Sequence, residues 1–140
     1  MEQLRIGSAY EYVSIELPQG ISVEGWIESR AEIVVDGFQG QILPWFQWID
    51  FVRFAASLRK LHETLKGTAE LRPCEAQLTL ELTCDNCGHV TMKGNASSNI
   101  AGDNILTFEI SLDQTFLAEP IPVLESWIDS MRDKFPEQIR

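Results

Sequence analysis

The chain has 140 residues, 44% hydrophobic and 23% charged, enough for one soluble domain to bury about two-thirds of its unfolded surface without disulfides or metal staples. Eleven Lys and Arg against twenty-one Asp and Glu leave a formal net charge of -10. That charge repels a phosphate backbone, excluding nucleic acid as a direct ligand, and favours a cationic partner.

Side chains alternate between apolar and polar through about the first forty residues, with turns at Pro18-Gln19-Gly20 and Asp36-Gly37, so this region is expected to form antiparallel strands. Val13, Ile15 and Leu17 share one face. Farther along, Val23, Ile27, Ala31, Ile33 and Val35 are expected inward, with Glu24, Trp26, Glu28, Arg30, Glu32 and Asp36 outward. Gly25 is a point of weakening or a bulge in that ribbon.

After Pro44 the period changes. Phe51, Phe54, Leu58, Leu61 and Leu65 recur at three and four residues, which predicts a helix from near Trp48 to a cap at Gly67. Strands are then expected at 68–72, 77–83, 89–94 and 104–112, with Leu78, Leu80 and Leu82 on one inward stripe and Leu106, Phe108, Ile110 and Leu112 on another. Ile121, Leu124, Ile128, Met131 and Phe135 mark a second helix, introduced by Pro120 and Pro122 and stopped by Pro136. The elements describe one α+β domain over residues 1–140. Its expected architecture is a twisted, mostly antiparallel sheet of about six to eight strands with two helices packed on one face. No internal repeat is visible in the sequence.

Cys84-Asp85-Asn86-Cys87-Gly88-His89 invites two readings. Two thiolates and an imidazole suit a tetrahedral soft-metal site, which needs a fourth ligand from Cys74 or His62, but the usual distant second ligand pair is missing. A strand-to-strand turn with small thiols accounts for the same residues, and redox chemistry is a third use. The turn is preferred, so no metal and no cofactor is assigned. His62 falls off the apolar helix stripe. Neither histidine has a recognisable nucleophile and orienting acid beside it. Gly37 and Gly40 lack the strand, turn and helix context of a phosphate loop. Catalytic residues: none.

The surviving candidates are surface groups. Glu16, Glu24, Glu28, Glu32, Glu81 and Glu109 lie opposite apolar strand residues, predicting an acidic sheet face, while Arg53, Arg59, Lys60 and Lys66 make the first helix basic. Aromatic side chains anchor protein partners. Glu24, Trp26, Glu28, Glu32 and Phe38 are therefore the expected partner-binding residues, with Trp45 and Trp48 weaker candidates and Trp127 assigned to packing. A homo-oligomer is left open. Without a signal-peptide pattern or an apolar run of about eighteen residues, no membrane association is expected and a cytoplasmic location is.

In order and spacing, DGFQGQ at Asp36–Gln41, FVRFAASLRKLHETLKGTAEL at Phe51–Leu71, LTLEL at Leu78–Leu82 and LTFEISLDQTFL at Leu106–Leu117 resemble the WapI-type family of bacterial immunity proteins. The resemblance covers most of the chain. CDNCGH departs from it, where the family carries a Gly/Asp-rich hairpin. The resemblance implies a non-catalytic protein that binds and neutralises a cognate toxin domain of a contact-dependent system, RNA-cleaving domains being among such toxins. It implies no catalytic residue. Two other readings stay open beside it: a cytosolic adaptor or regulatory protein-binding module without toxin inhibition, and an enzyme with scattered catalytic residues.

Overall fold

The computed structural model describes residues 2–22 and 24–137, so Val23 lies outside the described residues. Within the described residues, ten strands and two α-helices build an α+β fold, in the order β1 (Glu2–Gly7), β2 (Tyr12–Leu17), β3 (Trp26–Glu28), β4 (Ala31–Val35), β5 (Phe38–Ile42), β6 (Trp45–Gln47) and α1 (Trp48–Thr64), then β7 (Thr68–Leu71), β8 (Leu78–Cys84), β9 (His89–Ser97), β10 (Ile105–Asp113) and α2 (Pro120–Lys134). A short 3-10 helix at Gln114–Leu117 precedes α2.

Among the described residues the strands number ten, more than the six to eight read from the sequence, and divide into two four-stranded antiparallel sheets, β1-β2-β4-β5 and β10-β9-β8-β7, and a β3-β6 ribbon. The division has a local cause. Alternation runs unbroken from Ile27 to Ile33, but Ser29 is buried and its N–H donates to the carbonyl of Pro44, while Glu16 N–H takes the carbonyl of Arg30. The chain changes sheets between those two bonds, leaving β3 with β6 and β4 with β2. Inward phase survives the switch, so Ile27, Ala31 and Ile33 are all buried.

Each larger sheet is followed by a helix, a structural repeat that the sequence does not display. α1 buries Phe51, Phe54, Leu58 and Leu61, as its period requires. It ends earlier than Gly67: Leu65 takes the left-handed cap conformation at φ 57° and its N–H closes on Leu61. α2 starts on Pro120, where a missing N–H costs no helical bond, and buries Ile121, Leu124, Trp127, Ile128 and Met131. α1 packs on β7, α2 on β1, and the helices on each other. Both sheets and both helices feed one continuous buried cluster. No helix among the described residues is long and apolar enough to cross a membrane.

Candidate functional site

The five partner-binding candidates fall on three different surfaces. Glu24, Trp26 and Glu28 belong to the β3-β6 ribbon and the turn leading into it. Ile27 and Phe46 pair across the ribbon and are buried, which turns Trp26, Glu28 and Trp45 to its other side. The turn is held by reciprocal bonds: Trp26 N–H donates to Ser22 Oγ at 2.9 Å, and Ser22 N–H to the Trp26 carbonyl at 3.0 Å. Gly25 occupies a left-handed φ of 85°, which suits a residue without a Cβ.

Beside the ribbon lies an open groove of about 340 Å³ lined by Ser22, Glu24, Trp26, Trp45, Glu75 and Ile100. Its composition is aromatic and aliphatic with two carboxylates, and Ile100 is 59% exposed. Sequence reasoning named Glu24 and Trp26, ranked Trp45 low and missed Glu75 and Ile100. Those two lie in the β7-β8 and β9-β10 connections, which the topology brings to the ribbon and no periodicity marks.

Glu32 is elsewhere. On the outer face of the first sheet its carboxylate accepts from Tyr12 Oη at 2.6 Å and from Gln41 Nε2 at 3.5 Å. The Tyr12 hydroxyl holds the Glu32 carboxyl below its ordinary pKa, and the same bond pushes the Tyr12 phenol up. Arg5 stacks on the Tyr12 ring at 3.6 Å, and Arg5, Ser14, Glu16, Arg30, Glu32 and Gln41 share one shallow polar depression. Arg30 lies outward as alternation places it, and with Arg5 it sets two arginines beside Glu16 and Glu32, so this part of the expected acidic face is mixed in charge. The second sheet does the same: Lys93 lies between Glu81 and Glu109 in register, and Arg72 bonds Glu70 and Glu81.

Phe38 occupies a third place, 65% exposed at the start of β5, lining an apolar groove of about 270 Å³ with Ile42, Ile105 and Leu106. Trp48 and Trp127 are buried.

CDNCGH forms a turn between β8 and β9. The Asp85 carboxylate accepts from Cys87 N–H at 2.8 Å and His89 N–H at 2.9 Å, and Gly88 takes φ 81°. These two backbone bonds hold Asp85 below the usual carboxylate range, while burial pushes the Cys84 thiol up. Among the described residues no group of three His, Cys, Asp or Glu side chains is placed to hold a metal ion. None of the three surfaces carries a histidine or a cysteine. What the ribbon groove can do is bind: indole faces and the Ile100 side chain take aliphatic carbon, and the carboxylates take a positive head.

A sequence model of the immunity protein WapI-like family matches residues 3–134. No curated protein matches the chain. Among solved structures, the crystal structures of Trypanosoma bruciei MRP1/MRP2 are similar in fold, with a TM-score of 0.51 at 9% sequence identity, covering 95% of this chain and 84% of that chain.

Proposed function

The chain belongs to the WapI-like family of immunity proteins, and from that premise we propose that it neutralises a cognate toxin domain by covering the toxin's functional surface, without catalysis of its own. The toxin is basic, and an RNA-cleaving domain fits that description because it must attract phosphate. The net charge of -10 supports this reading, since it draws a cationic partner into encounter and raises the association rate. On this reading the protein acts in the cytosol of the cell that makes the toxin.

The observation that carries the reading is the ribbon groove: Trp26, Trp45 and Ile100 rimmed by Glu24 and Glu75, with Glu28 across the ribbon from Trp45. An interface gains most from aromatic anchors in desolvated pockets and takes specificity from the charges around them. We assign Trp26 the anchoring contact and Glu24 and Glu28 the electrostatic attraction. A lysine or arginine of the toxin lies along the indoles with its charge toward the carboxylates. Glu32 and Phe38, on other surfaces, fall outside this contact.

The test is co-expression with the C-terminal domain of the adjacent large toxin, followed by stopped-flow association of the purified pair. The expected result is a stable complex that protects against the toxin, an association rate that falls with salt, and a weaker salt dependence when Glu24 and Glu28 become glutamine. Trp26→Ala should accelerate dissociation by about tenfold or more, the range of an interface anchor. Binding without protection would replace the reading with that of an adaptor. Unchanged kinetics in all the variants would move the contact to another face.

A further inference from the structure

We infer that β5 is a self-association edge, through which two copies of this chain pair antiparallel about Gly40. β5 is an outer strand of the first sheet, hydrogen-bonded to β4 alone. Outer strands expose a row of backbone donors and acceptors, and proteins that must stay apart protect them with charge. Of the four outer strands of the two larger sheets, β1 carries Glu2 and Arg5, β7 carries Glu70, and β10 carries Glu109 and Asp113. β5, reading Phe38-Gln39-Gly40-Gln41-Ile42, carries no ionisable side chain. Two chains each charged -10 need a charge-free strip to meet along, and this strand provides one.

Backbone geometry aims the free groups outward. The two-residue Asp36-Gly37 turn makes Val35 and Phe38 a hydrogen-bonded pair, so Phe38, Gly40 and Ile42 spend their backbone bonds on β4. The bond from Glu16 N–H to the Arg30 carbonyl fits the same phase on the far side of β4. Gln39 and Gln41 therefore direct N–H and C=O away from the sheet, and neither backbone N–H has a turn, loop or side-chain partner among the described residues.

The strand is also nearly palindromic. About Gly40, Gln39 exchanges both backbone bonds with the partner's Gln41, their amide side chains lying together on the outer face, while Phe38 lies opposite the partner's Ile42 on the inner face. Gly40 brings no Cβ to the meeting point, and beyond its chain neighbours nothing lies within 4 Å of where one would stand on its face of the sheet. Exposed carbon gathers on this flank: Phe38 at 65% and Ile105 at 62%, both lining one groove. Pairing would join the two four-stranded sheets of the two copies into one continuous sheet and cover the Phe38-Ile105 groove.

Sedimentation equilibrium of the full chain alone, over chain concentrations up to about 1 mM, reads the inference directly. The expected result is a rise from the 15.9 kDa monomer toward twice that mass, with association tightening as salt screens the like net charges. Gln41→Pro removes an outward donor without touching a backbone bond to β4, losing besides only the side-chain bond to Glu32, and Phe38→Lys puts a charge on the edge. Each should raise the dissociation constant at least about tenfold while leaving the far-UV circular dichroism of the fold in place. Amide exchange at Gln39 and Gln41 should slow as concentration rises. A chain that stays monomeric throughout, or a dimer that survives Phe38→Lys, overturns the inference. So does protection of Gln39 and Gln41 that appears only when toxin is added, since β5 would then receive a toxin strand.

Discussion

Trp127 Nε1–H donates to the carbonyl of Pro18 at 2.8 Å, a bond between residues 109 positions apart that ties α2 to the end of β2. The indole is fully buried, edge-on to Phe51 at 5.0 Å and tilted against Trp48 at 5.6 Å. Trp127→Phe keeps an aromatic ring but leaves the Pro18 carbonyl without this partner and opens the volume of the lost second ring. We expect a loss of about 2–3 kcal/mol, read as a lower urea midpoint at an unchanged slope.

The two helices were legible because their signal is local: Phe51, Phe54, Leu58 and Leu61 must share a face whatever surrounds them. Strand phase was legible for the same reason, and Ile27, Ala31 and Ile33 point inward as read. The sheet switch at Ser29 was not legible, because a strand that continues and a strand that changes partners keep the same alternation. Glu75 and Ile100 left no trace for a related reason. They sit in connections whose composition reads as turn, and their place beside Trp26 and Trp45 is a consequence of topology alone. The pairing of charges within the expected acidic face was not legible either, since only the register places Lys93 between Glu81 and Glu109.

Gly94 shows how a mid-strand glycine can be required without an unusual φ. It pairs with Phe108, whose ring lies where a side chain would be: a Cβ built on Gly94 would clash with Phe108 Cζ. The ring thereby covers the backbone of β9 and supplies the carbon that glycine lacks. Gly94→Ala must push Phe108 out of its position in a close-packed interior, at a cost of about 1–3 kcal/mol. The double variant Gly94→Ala/Phe108→Leu should lose less than the sum of the two single changes, which thermal or urea unfolding of all four proteins measures.

The Asp85 turn, not a metal, is expected to organise Cys84 through His89. Asp85→Ala removes the acceptor for the Cys87 and His89 amides, and both should exchange faster with solvent while amides in β4 and β5 are unaffected. Because backbone bonds depress the Asp85 pKa, the turn is intact above the ordinary value of 3.8 and loosens as pH falls through the lowered one. Equimolar zinc should leave the melting temperature of the wild-type chain unchanged. A stoichiometric zinc content, or a rise in melting temperature on adding it, would assign these side chains to a metal instead.

Tyr12 and Glu32 bind each other in the one combination of charge states that prevails near neutrality, a protonated phenol donating to an ionised carboxylate. The Glu32 pKa is lowered first by the Tyr12 bond, so its stabilising contribution is fully present above the unfolded value of 4.5 and disappears as pH falls through the folded one. The Tyr12 pKa is raised first by the same bond, so that contribution is present below 10.0 and lost as pH rises through the higher folded value. Tyr12→Phe keeps the ring over which Arg5 stacks and deletes the donor. Its melting temperature should lie below that of wild type by a constant margin across the neutral range, and the two curves should converge at both the acid and the alkaline ends. Both groups lie at the surface, so the margin should be small and should shrink in high salt less than an exposed ion pair's would, because a hydrogen bond remains after screening. A margin that stays constant below the carboxylate range would mean that Tyr12 stabilises the sheet through its ring contacts and not through Glu32.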